Sequence, residues 1–377
     1  MRRLVIAITL LSVLVPRPCL ACMWDYETLS MERQRFPGTY ELIAGYFVRH
    51  SDAYYRWRIT DREAKPQDQR SPLDYDDIAV AYDKLGQHDK AVETIRAKME
   101  RWPDERRYES EANLGTFYIH AGRLEEGLVH IKAAIKINPD AHFGREIYQQ
   151  LLVEYLLKQK TAGKGLPESE KTQLRDADFG AFVLEHRYNE NKTAEIQAAV
   201  KGVLGMMRFG HYDSPILLKA LGDLLTSEHR DTDAKMLGAR AYLKASYSAP
   251  NQEAAAAYRK MAVQAIEMQA GRELEEIEAE LKNEMAQARK LADQIAADEQ
   301  AWIDQGLDLD AEFAKKYFDA PTLRDKHVAW GPLSPAVHAT LLLSGLLAGL
   351  LAFVAIFIWA VKKALRKRKT TIVDTSG

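Results

Sequence analysis

AYDKLGQHDKAVETI, residues 81–95, and YIHAGRLEEGLVHIKAAIKINPD, residues 118–140, are two copies of one pattern. Ala79-Val80-Ala81-Tyr82-Asp83-Lys84-Leu85-Gly86 aligns with Gly115-Thr116-Phe117-Tyr118-Ile119-His120-Ala121-Gly122 at an offset of 36, so a small residue, a tyrosine and a glycine recur. Downstream, Ala91 pairs with Gly127, Ile95 with Ile131 and Pro103 with Pro139, with about two extra residues at Glu105 to Arg107 between the copies. Small residues at 79, 115, 91 and 127 suit two helices that cross closely, because a larger side chain would push them apart. Gly86 and Gly122 suit a turn needing positive φ. Pro103 and Pro139 end the second helix of each unit, and Tyr82 and Tyr118 fill the space between helices.

Each copy resembles the tetratricopeptide repeat, a 34-residue helix-turn-helix unit. A more degenerate copy is read at Pro215 to Ser248, where Leu218, Leu221, Gly222, Ala234 and Ala241 keep the large and small positions while the turn at Ser227 to Thr232 lacks glycine. Such units expose an apolar face to their neighbours, so helices at 31–58 and 143–158 are expected to cap them. The resemblance implies an α-solenoid whose first helices line a concave groove for peptides or extended segments. Carried over position by position, the groove residues are Leu73, Asp76, Asp77, Val80, Asp83 and Lys84, then Glu109, Ala112, Asn113, Thr116, Ile119 and His120. Asn113 matches the asparagine that some family members use to hold a C-terminal carboxylate, but Asp76 and Asp77 would repel one. An acidic groove suits a basic or neutral partner segment; the bland alternative is that these are ordinary solvated helix residues.

Working outward, the ends of the chain place it. Arg2 and Arg3 precede an apolar run from Leu4 to Val15, the length of a secretory signal's h-region. Ala21 and Cys19 allow cleavage before Cys22, which makes 1–21 a signal peptide and discards one of the two cysteines. No disulfide within the chain and no cysteine-rich zinc site then remains. Cys22 is read either as an unmodified terminal residue or as a lipidation site, since Leu20-Ala21-Cys22 resembles the end of a lipobox; a reactive thiol is the third reading. At the other end, Ala339 to Val361 holds no charged residue and is long enough to span the hydrocarbon core. Lys362, Lys363, Arg366, Lys367, Arg368 and Lys369 follow it, which places the tail inside.

The formal net charge is −2. Setting aside the signal region (+3) and the tail (+5) leaves −10 on the external part. An acidic exterior excludes nucleic-acid binding through phosphate neutralisation. Between the anchors the chain is rich in helix formers and has no sustained period-2 pattern, so an all-α fold is expected. From Glu253 to Trp302, Leu274, Leu281, Ala288, Ile295 and Trp302 recur every seven residues, with Ile277 and Leu291 between them. That pattern fits a coiled coil, although Glu284 and Asp298 at seam positions weaken a dimer; a helix folding back on the repeats is the alternative.

The expected layout is therefore a signal peptide (1–21), an N-terminal helical cap (22–71), tetratricopeptide repeats (72–158) and a second helical lobe with the degenerate copy (159–250). A long helix or coiled coil (251–304), a juxtamembrane connector (305–335), one transmembrane helix (336–361) and a basic cytoplasmic tail (362–377) complete it. No phosphate-binding glycine loop, metalloprotease motif or nucleophile elbow occurs. His229-Arg-Asp-Thr-Asp reads as a solvated turn and Asn191-Lys-Thr as a glycosylation sequon. No cofactor, metal or catalytic residue is expected. The functional expectation is a non-enzymatic, membrane-tethered exoplasmic scaffold of a bacterial envelope that holds another envelope protein. The alternatives are a structural tether self-associating through 253–302, and an enzyme using the Cys22 thiol.

Overall fold

The computed structural model describes residues 25–26, 36–139, 144–161, 178–187, 191–227, 232–267, 272–319 and 321–323 of the 377-residue chain. Among them are fourteen α-helices and no strand, so the described part of the chain is all-α. The segments read as signal peptide, lipidation site Cys22, transmembrane helix and basic tail lie outside the described residues. Within the described residues no helix is long and apolar enough to cross a membrane.

The quoted stretches form two helical hairpins. Helix α3 (Pro72–Lys84) turns into α4 (His88–Arg101), and α5 (Arg107–His120) turns into α6 (Leu124–Ile137). The turns have one hydrogen-bond pattern. Gly86 N–H donates to Asp83 O at 2.9 Å and Gln87 N–H to Tyr82 O at 2.8 Å; 36 residues on, Gly122 N–H donates to Ile119 O at 3.0 Å and Arg123 N–H to Tyr118 O at 2.8 Å. This closure needs a left-handed residue, and Gly86 (φ 72°) and Gly122 (φ 76°) supply it. The close crossing of α5 and α6 is equally literal: a Cβ on Gly127 would lie 2.8 Å from Gly115 O and 2.6 Å from Ile119 Cγ1. Ala79 and Ala91 take these places in the first hairpin, both with 0% exposure. Tyr118 is buried between the helices, whereas Tyr82 stands at the rim, its hydroxyl 3.2 Å from Glu63. The two-residue insertion leaves Arg106 at φ 52°, the one positive-φ residue other than glycine among the described residues. A guanidinium contact to buried Asp76 at 3.2 Å accompanies that uncommon conformation.

Before the hairpins, the described part of the expected cap holds two helices, α1 (Thr39–Ala44) and α2 (Asp52–Glu63). Gly45, at φ 81°, ends the first. After them come α7 (Arg145–Thr161), α8 (Phe179–His186), α9 (Lys192–Phe209), α10 (Pro215–Ser227) and α11 (Thr232–Tyr247). Asn191 of the sequon caps α9, its side chain accepting from Ala194 N–H at 3.0 Å. Successive helices from α2 to α7 pack each on the next; then α7 packs on α9, α9 on α10 and α10 on α11. The degenerate copy at 215–248 is thus also a helical hairpin, but its close crossing runs through Gly222 and Gly238, not Ala234.

The last helices are α12 (Gln252–Ile266), α13 (Leu274–Asp304) and α14 (Leu309–Tyr317). The long helix folds back. It packs on α1, α2, α11, α12 and α14, burying Leu274, Ile277, Leu281, Ala288 and Ile295 inside the chain. The charged seam positions have partners there: Glu284 takes Arg240 through two 2.9 Å contacts, and Asp298 takes Lys316 at 2.5 Å and the Tyr317 hydroxyl. Glu299, fully buried, accepts from Ser51 N–H at 2.9 Å and pairs with His50 Nδ1 at 2.6 Å. The connector read at 305–335 begins with a helix, because Leu309, Phe313 and Tyr317 form an apolar stripe under an Asp308 N-cap.

Candidate functional site

The face expected to line a groove is closed by the chain itself. Asp76, Asp77, Val80, Asp83, Ala112, Asn113 and Thr116 are buried, and Leu73, Lys84, Glu109, Ile119 and His120 are half-buried. Each aspartate has its own cation or imidazole. Asp76 holds Lys98 Nζ at 2.7 and 2.8 Å and accepts from Asn113 Nδ2 at 3.2 Å, so the asparagine that matches the family's carboxylate clamp binds this carboxylate of the chain itself. Asp77 accepts from Arg62 at 2.9 Å and from Tyr26 N–H at 2.8 Å. The charge that suggested a basic partner is therefore balanced within the fold. Burial, only partly offset by Lys98, pushes the Asp76 carboxyl up to about 6, and burial also lowers Lys98.

Asp83 leads to an open site. It ends α3, fully buried, with Oδ1 2.7 Å from His88 Nδ1 and Oδ2 2.8 Å from His120 Nδ1, at the end of α5. Burial works against its charge, but the two rings outweigh it and hold the carboxyl well below the usual carboxylate range. The bond to Asp83 raises His88 in turn. His211, on the loop between α9 and α10, completes the group, its ring 4.7 Å from that of His120 between centroids. Burial, with His120 and Lys84 adding to it, pushes His211 down to about 4, so this imidazole is neutral near pH 7.

The loop is held in place. Lys84 Nζ donates to Phe209 O at 2.6 Å and Gly210 O at 3.1 Å, clipping α3 to the end of α9. Tyr212 sits edge-on against Phe47 at 5.4 Å, with Arg49 over its other side at 4.6 Å. Ser214 and Pro215 then start α10, Leu218 N–H donating to Ser214 O at 2.9 Å.

His120 and His211 stand at a cavity of about 460 Å³ between α5, α7, α9 and α10. Its walls are mainly apolar, with Ile119, Leu152, Val153, Leu156, Ile216 and Leu217 among them. One wall is polar and incomplete: Gln149 is 7% exposed and its Nε2 donates to Thr116 Oγ1 at 3.1 Å, but its Oε1 has no hydrogen-bond partner. A buried carbonyl oxygen left so costs about 1 to 3 kcal/mol. The size, apolar lining and few convergent polar groups are those of a ligand pocket.

Of the residues read from the sequence, the structure brings Asp83, Thr116, Ile119 and His120 to this region and turns Asp76, Asp77, Val80, Ala112 and Asn113 inward. The sequence reading missed His88, Gln149 and His211. His211 lies 91 positions after His120 in a turn-forming stretch, HYDSP, which gives no periodic signal. No protein-family model, curated protein or solved structure matches the chain.

Proposed function

We propose that this chain is a membrane-tethered helical-repeat scaffold, built from tetratricopeptide-like hairpins, that holds an envelope partner in the cavity between α5, α7, α9 and α10. The observation that carries the reading is the mainly apolar cavity, next to a helix face already filled by the chain's own side chains. Such a pocket suits an uncharged, apolar segment. The recurring turns and close crossings at residues 79–86 and 115–127 support repeat architecture. The uncharged run at 339–361 and the basic cluster after it support the tether, with the helical body exoplasmic and the tail in the cytoplasm.

Leu217 lines the cavity and is half-buried. Leu217→Arg places a charge in the apolar wall and is expected to reduce co-purification of the partner from native membranes by at least roughly tenfold, while far-UV circular dichroism and the melting temperature stay near wild type. Undiminished co-purification by a folded Leu217→Arg protein overturns the reading.

A further inference from the structure

We propose that Asp83, His120 and His211 form a binding site for a divalent transition-metal ion of the zinc class, at the mouth of the cavity. Side-chain donor atoms of these three residues lie within 4.8 Å of one another. They come from three separate parts of the fold: the end of α3, the end of α5 and the α9–α10 loop. Two imidazoles and one carboxylate are a donor set suited to zinc, and imidazole discriminates against magnesium and calcium.

The surroundings are those of a built site. Asp83 is fully buried, yet no lysine or arginine bonds it; His88 and His120 take its two oxygens. His120 Nδ1 and Asp83 Oδ2 already lie 2.8 Å apart, so an ion that takes the place of the proton between them would meet both, while His88 holds and orients the other carboxylate oxygen. The Lys84 clip and the Tyr212–Phe47 contact hold the loop from both sides of His211.

Metal–ligand bonds of about 2.1 Å set tetrahedral ligands roughly 3.4 Å apart, so closure needs about an ångström of side-chain movement. His211 is the donor on a loop and supplies it. Three protein ligands leave a position for water or for a donor atom in the cavity, which His120 and His211 both line. The site stands apart from the scaffold reading, since a structural ion there would stabilise the α3–α5–α9 junction whether or not a partner binds.

The test uses the full-length protein in detergent, stripped with a chelator and dialysed against Zn²⁺. One ion per chain and a higher melting temperature with Zn²⁺ are expected, as is a visible absorption band of tetrahedral Co²⁺ after substitution. His120→Ala and His211→Ala should each weaken binding by about 100-fold and abolish the thermal shift, whereas His186→Ala should change neither. Should either alanine variant fold poorly, His211→Gln, which changes only a loop side chain, carries the test. No Zn²⁺ binding by the wild type, or binding that survives loss of His211, overturns the proposal. Partner capture, measured separately, reports on the scaffold reading alone.

Discussion

At Asp76, burial and charge pairing pull in opposite directions, and the difference decides what such residues do. A carboxylate with 0% exposure must be paired or protonated, and here Lys98, Arg106 and Asn113 satisfy it in place of a ligand. Asp178 has weaker compensation. It caps α8 through Ala181 N–H at 3.1 Å, but burial and the nearby charge of Asp223 push it up to about 6. The unfolded chain releases that proton near pH 4. Between the two values the folded state binds more protons, so this group's contribution to stability falls as pH rises from about 4 to 6. Asp178→Asn keeps the cap and removes the penalty. The variant should match wild type at pH 4 and exceed it by about 1 to 2 kcal/mol at pH 7.5 in urea titrations; a lower stability at pH 7.5 would contradict this account of Asp178. Residue types alone did not reveal which aspartates were interior. Asp76 and Asp83 recur on a helix face that reads as solvated, and only the lysine and histidines delivered by neighbouring helices make burial tolerable.

For the elements, the turns and crossings were legible because backbone geometry admits few residues there. Gly127 and Gly86 separate two effects. An added methyl at Gly127 meets Gly115 O and Ile119 within 2.8 Å, while at Gly86 nothing lies within 4 Å and the strain is only that of a positive φ. Gly127→Ala should therefore cost about 2 to 3 kcal/mol and Gly86→Ala about 1 kcal/mol, read as shifts in urea midpoint; the reverse order would refute the close crossing. Helix α13 was half legible. Its seven-residue seam is the same whether the covering helix is a second copy or the chain's own body, and the choice lay in distant partners such as Arg240, His50 and Ser51. Leu281 has 0% exposure on that seam. Leu281→Ala should cost about 2 to 5 kcal/mol at any protein concentration; a loss that disappears as concentration rises would instead mark the seam as an intermolecular contact. Helix α14 was missed because its nine residues sit among turn formers, and its stripe of Leu309, Phe313 and Tyr317 is too short to stand out.

Across the whole molecule, the largest departure from the sequence-based picture is where the fold is open. The tetratricopeptide resemblance pointed to the α3 and α5 face, and that face is filled by Lys98, Arg62, Arg106 and residues from α2. Openness appears one step along, where α7 and α9 leave the cavity under the His120–His211 loop. No local pattern encodes this, because the cavity is what remains after four helices separated by up to a hundred positions have packed. Asp25 and Leu323 are both tied to the helical body: Arg58 bonds Asp25 at 2.6 Å, and Leu323 N–H donates to buried Glu41 at 2.9 Å. On the proposed reading, partners enter the cavity and not the α3/α5 face. Photoreactive residues placed at Leu217 and Ser248, which line the cavity, and at Glu109, on the closed face, test it in native membranes. One shared foreign adduct at Leu217 and Ser248 and none at Glu109 is expected, whereas an adduct confined to Glu109, or none at any of the three, would overturn entry by the cavity.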